Sequence, residues 1–110
     1  MKVVIREITW MPSLVHCGWG NGYVLIPEGH ELHGVDYNEI DVDVHGGLTF
    51  SELVTEEMAE RWGIFSPEDI GMWCIGFDTA HYGDTKENWS KEAVQKEAEM
   101  LRVRISNNGI

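Results

Sequence analysis

The sequence predicts an α+β fold: a small, mostly antiparallel sheet with a C-terminal helix packed across one face. Three observations predict it. Val94, Ala98, Leu101 and Ile105 recur at i, i+4, i+7 and i+11, the apolar stripe of a helix lying on a core. Val3–Ile8, Tyr23–Ile26 and Met72–Phe77 are short β-branched or apolar runs that read as strands. Strands and helices do not alternate regularly, which argues against parallel βαβ units. The 110 residues form one domain, 1–110, because that length matches a single core and no repeat or linker interrupts it.

The elements follow in order. Val3–Ile8 is the first strand. Residues Pro12 to Gly22 contain three glycines, a proline and Asn21, and read as a loop. Tyr23–Ile26 is the second strand, ended by Pro27. Pro27 to Ile40 is polar and turn-rich. Asp41 to Val44 alternates strictly and His45 continues the pattern, so this segment reads as a strand with Val42 and Val44 on one face and Asp41, Asp43 and His45 on the other. Gly46-Gly47 then predicts a hairpin into Leu48-Thr49-Phe50. A two-residue turn there pairs His45 with Leu48 and Asp43 with Phe50, mixing polar and apolar residues on one face. Either a bulge shifts the register, or the polar side chains are half-buried for a reason.

Thr55 is an N-cap for a short helix with Glu56 and Glu57 in its first turn, Met58, Ala59 and Trp62 on its apolar side, and Gly63 at its end. Ser66-Pro67-Glu68-Asp69 reads as a second helix start, stopped by Gly71 after about one turn. Met72–Phe77, the most apolar run, is the central strand. Asp78 to Asp84 is a loop. Ser90 caps the last helix, and Asn107-Asn108-Gly109 ends it.

Charge narrows the function classes. Eight Lys and Arg stand against 19 Asp and Glu, a net charge of −11. That field repels phosphate backbones and disfavours bulk nucleic-acid binding. No apolar run approaches the ~20 residues of a membrane span. The opening MKVVIREITWMPSLVH does not read as a secretory signal, because Arg6 and Glu7 interrupt it. A cytoplasmic protein with reduced thiols is expected. Cys74, inside Met72-Trp73-Cys74-Ile75, reads as core filler. Cys17 follows His16, but adjacent residues rarely face each other as a nucleophile and base must.

Two polar clusters carry the candidate chemistry: Asp41-Val42-Asp43-Val44-His45-Gly46-Gly47 and Asp78-Thr79-Ala80-His81-Tyr82-Gly83-Asp84. If their strands neighbour in the sheet, Asp43, His45, Asp78 and His81 converge. Two imidazoles with two carboxylates suit a divalent ion such as zinc, manganese or iron(II). They equally suit acid–base work or a polar ligand. Plainer uses exist for each: a solvated strand face for Asp41 and Asp43, turn chemistry for Asp78 and Asp84, half-buried hydrogen-bonded imidazoles for His45 and His81. No HExxH, P-loop, GxGxxG or nucleophile elbow is present. His30 and His33 lie in a glycine-bracketed segment, and His30 is a candidate for a site rim. Of five tryptophans, Trp62 and Trp73 read as core. Trp19, Tyr23, Tyr82 and Trp89 lie in or beside loops, where rings can stack on planar ligands.

Gly22-Tyr23-Val24 with Pro27-Glu28-Gly29-His30, then Asp41–Phe50 with its HGGLT stretch, then Gly76–Asp84 (GFDTAHYGD), resemble a family of small uncharacterised phage and prophage proteins over roughly residues 16 to 105. The resemblance implies a context, a phage protein in the host cytoplasm, rather than a mechanism. In that context the first reading is a protein that binds or sequesters a nucleotide-like immune signal. Tyr23, His30, Asp43, His45, Thr49, Asp78, His81 and Asp84 would form its ligand site, and a homo-oligomer is expected from the burial a small domain gains by self-association. Two alternatives stand beside it. One is a metal-dependent hydrolase using the Asp/His clusters. The other is an acidic inhibitor that blocks a basic surface on a host protein.

Overall fold

A computed structural model describes residues 1–9 and 17–107. The Pro12–His16 part of the expected loop, the His16 half of the Cys17 pair, and the Asn108-Gly109 end of the last helix lie outside the described residues. Four strands form one sheet: β1 (Lys2–Glu7), β2 (Gly20–Ile26), β3 (Phe50–Leu53) and β4 (Trp73–Phe77). Their order is β1-β2-β4-β3, and every neighbouring pair is antiparallel. Two α-helices accompany them, α1 (Glu56–Trp62) and α2 (Lys91–Asn107). The α+β fold read from the sequence is the observed one.

The two sheet faces carry separate cores because side chains alternate along each strand. On one face Val24, Ile26, Ile75 and Phe77 meet Val94, Ala98, Leu101 and Ile105 of α2, the stripe predicted from its periodicity. On the other, Val4, Tyr23, Leu25 and Cys74 meet Val54 and Met58, with Phe50, Trp62 and Phe65 packed against them. The α1 start follows its sequence: Thr55 Oγ1 accepts the Met58 N–H at 3.1 Å, and Gly63 closes the helix at φ +70°. Ser66–Asp69 makes only a 3-10 turn, with the Ser66 N–H donated to Asp69 Oδ2 at 2.8 Å.

Two expectations are corrected. Gly20 and Gly22 belong to β2 rather than to the loop before it. A Cβ on Gly22 would press into the Phe77 ring and approach Ala98, so glycine lets α2 lie close against the strand. Asp41–His45 is not a strand of the sheet, and no hairpin joins it to Leu48–Phe50. The segment belongs to no helix or strand and packs Val42 and Val44 on the α2-side core without a ladder partner. The alternation therefore reports burial, not strand pairing. Gly47 N–H bonds Val44 O at 2.9 Å with Gly46 at φ +70° in the third position, the signature of a type II turn. The mixed-face conflict disappears because Asp43 and Phe50 are never cross-strand partners. Among the described residues, no helix is long and apolar enough to cross a membrane.

Candidate metal centre

The turn at 44–47 and the loop after β4 meet at the end of the sheet where β2 begins. The loop is fixed from below. Thr79, wholly buried, donates its hydroxyl to Gly20 O at 2.7 Å, and its own carbonyl accepts the Gly18 N–H at 2.7 Å. The Ala80 N–H bonds Asp78 Oδ1 at 3.0 Å, and Asp84 N–H bonds His81 O at 2.9 Å, closing a second turn. The opposing turn is fixed by α2. Glu97 Oε2 accepts the His45 backbone N–H at 2.9 Å, and Arg104 donates to Asp43 O at 2.8 Å while lying 3.7 Å from Glu97.

Between these supports stand His45, His81 and Asp84. The Asp84 side chain is nearly buried. It faces His45 Nε2 at 3.0 Å and His81 Nδ1 at 3.1 Å, and it accepts the His81 backbone N–H at 2.9 Å. Asp78 Oδ1 lies 3.4 Å from the other ring nitrogen of His81. One ligand atom from each of His45, His81 and Asp84 lies within 4.8 Å of the other two. Trp89 covers His45, with ring centroids 4.1 Å apart. Gly46 makes room for the His81 ring: a Cβ there would lie 2.7 Å from Nε2.

Burial by itself pushes the Asp84 carboxyl up. The His81 N–H bond outweighs it together with the bond and charge of His45, and the carboxyl ends below its ordinary value. A carboxylate kept ionised beside two imidazoles is the donor set of a borderline divalent ion.

Of the residues expected to form the site, His45, Asp78, His81 and Asp84 come together. Asp43 is exposed and bonds Arg104 through its carbonyl, two residues before His45. Tyr23 projects into the core on the other face of the sheet. His30 follows the far end of β2, where Nδ1 accepts the Leu32 N–H at 3.1 Å. Thr49 is exposed and donates its backbone N–H to Gly76 O. Glu97 was missed, and Trp89, read as a ring for stacking on a planar ligand, lies against His45. The signal for Glu97 was its place beside Ala98 in the buried stripe, where a carboxylate is half-covered by whatever packs on the helix.

No protein-family model matches this chain, and no curated protein or solved structure matches it either.

Proposed function

We propose that this chain is a metal-dependent hydrolase of a small polar substrate, with His45, His81 and Asp84 as the ligands of one divalent ion. One observation carries the reading: three mutually close donors, held by backbone bonds from two separate segments, with no fourth protein ligand grouped with them among the described residues. Structural zinc sites close all four positions with side chains, whereas reactive sites use three and keep one for water or substrate. Two imidazoles and one carboxylate also suit iron(II) or manganese.

The protein's own residues do the arranging. Asp84 supplies negative charge and orients both imidazoles. Asp78, facing the second nitrogen of His81, fixes that ring's tautomer as outer carboxylates do for ligand histidines. Glu97 holds the His45 backbone and Trp89 its ring, so the donor set is preorganised. When bound, a divalent ion supplies Lewis acidity for polarising a carbonyl or phosphoryl oxygen. The HGGLT and GFDTAHYGD stretches, which carry the resemblance to small phage proteins, are the two that supply these three side chains.

The test is metal content followed by turnover. Protein stripped with EDTA and dialysed against zinc, manganese or iron(II) should retain about one ion per chain, as a three-ligand site does. His45→Ala, His81→Ala and Asp84→Asn should lose it while keeping their circular dichroism. The loaded protein should then hydrolyse p-nitrophenyl phosphate or p-nitrophenyl acetate. A folded wild type that retains no ion removes the centre. Retention without turnover removes hydrolysis and leaves metal binding.

A further inference from the structure

We propose that the groove between the end of β2 and the start of β4 docks an arginine side chain of a partner protein. It lies at the opposite end of the sheet from the His45–His81–Asp84 centre and does not rest on the hydrolase reading. Pro27 follows β2 directly, and Gly71 and Met72 lead into β4. With Glu28, Glu68 and Ile70 they line an open cavity of about 280 Å³. Small-molecule sites run from about 300 to 1,000 Å³, so this space suits one long side chain better than a whole ligand.

Part of the lining is apolar. Ile70 is left 40% exposed, with Pro27 and Met72 half-buried in the same groove. An arginine stem covers such a surface while its head stays at the rim. Gly71, at φ +95°, adds no side chain, and a Cβ there would lie 3.2 Å from Glu28 Oε1. The Glu28 carboxylate therefore lies over the Gly71 backbone, inside the groove.

The rest of the lining is negative. Among the described residues, neither Glu28 nor Glu68 has an ion-pair or hydrogen-bond partner. The cation that reaches this turn, Lys2, is held by Asp69 at 2.8 Å and by Ser66 at 3.2 Å. The Gly71 N–H bonds Val54 O at 2.9 Å, and its carbonyl accepts from His33 Nε2 at 2.8 Å. The two carboxylates are thus what the groove offers a polar guest. Both flanking turns are held in place. The His30 N–H bonds Pro27 O at 3.3 Å, and Asp69 Oδ2 accepts the Ser66 N–H at 2.8 Å. Little ordering is needed on binding.

An apolar lining beside unpaired carboxylates fits a cation with an alkyl stem. The guanidinium fork carries five donors and bridges carboxylates, where an ammonium acts as a point charge. It is also the more weakly hydrated head, and arginine is enriched at protein interfaces. The net charge of −11 draws basic partners to the chain.

NMR titration of the full, isotope-labelled chain tests this, with acetyl-Gly-Ala-Arg-Ala-Gly-amide as the probe. The buffer holds EDTA and about 0.15 M salt, where exposed charges farther apart than about 8 Å are screened. The same peptide with citrulline for arginine is the neutral control. The probe is expected to shift the Glu28, Glu68, Ile70 and Gly71 amides with Kd below about 10 mM, and the control to bind at least about fivefold more weakly. Glu28→Gln with Glu68→Gln should weaken binding at least about fivefold with an unchanged melting curve. Glu56→Gln with Glu60→Gln, at exposed positions of α1, removes the same charge and should leave Kd within about twofold. Ile70→Ser should weaken binding while keeping the circular dichroism of the wild type. The proposal falls if the probe shifts none of these amides at about 10 mM, if the citrulline peptide binds equally, if both glutamine pairs weaken binding alike, or if Ile70→Ser binds like the wild type.

Discussion

His45 Nε2 stands 3.0 Å from Oδ1 and 3.1 Å from Oδ2 of Asp84, across 39 positions of the chain. Neither residue sits on a strand or helix. The contact exists because Thr79 pins one loop to β2 and Glu97 pins the other to α2.

Replacing His45 separates site from scaffold. His45→Ala removes one donor and one bond to a buried carboxylate, and should cost about 1–2 kcal/mol in the metal-free protein. The larger effect should appear with metal present. Zinc at 100 times its Kd stabilises the wild type by about 2.7 kcal/mol, and the variant should show none of that gain. Urea unfolding with and without zinc measures both effects. An equal zinc-dependent gain in wild type and variant would take His45 out of the centre.

Acid should reach Asp84 through a defined window. Its carboxyl lies below its ordinary value when folded. A depressed carboxylate stabilises the fold at pH above its unfolded value of about 4, and that contribution disappears as pH falls through the folded value. Asp84→Asn keeps an acceptor for the His81 N–H but cannot titrate. Metal-free wild type should therefore lose stability below about pH 4 more steeply than the variant. Parallel slopes in pH-dependent urea unfolding would contradict the assignment.

Gly46 and Gly47 make a matched pair. Both have positive φ, +70° and +80°, but only Gly46 faces the His81 ring, and Gly47 opens on space. Gly47→Ala should cost about 1–2 kcal/mol from left-handed backbone alone, with metal retention intact. Gly46→Ala carries the same strain and also displaces His81, so metal retention should fall. Metal analysis of the two variants side by side decides the point, and equal retention would mean His81 is free to move.

The thiols should be inert in the native state. Cys17 and Cys74 are both buried and not joined in a disulfide, and burial pushes the Cys74 thiol up, with Glu52 adding to the shift. Thiolate is the reactive form, so Ellman's reagent at pH 8 should find Cys74 unreactive in folded protein and both thiols in guanidinium. Fast native modification of Cys74, mapped by mass spectrometry, would show that strand β4 opens.

Much of the fold was legible because it is local. The stripe Val94, Ala98, Leu101, Ile105 is set by helical geometry. The Thr55 cap, the Gly63 stop and the apolar run now seen as β4 are likewise written in neighbouring residues. The Asp41–His45 alternation misled for a physical reason: period-two burial also arises in a segment that lies on a core with no strand paired to it. The glycines of β2 misled as well, because glycine signals a loop unless another element, here Phe77 and α2, must come close.

The stretches that supply the clustered polar side chains were visible in the sequence: two short stretches combine imidazole, carboxylate and glycine. Which of them meet was decided only in three dimensions. Side-chain alternation along β2 sends Tyr23 to the α1 face, and the length of that strand puts His30 at the far end of the sheet. Thr79, bonded to Gly20 of β2, and Glu97 of α2, bonded to His45, bring His45 to His81 and Asp84. These are contacts between residues distant in sequence, so they depend on strand order and helix placement. No spacing within either stretch encodes them.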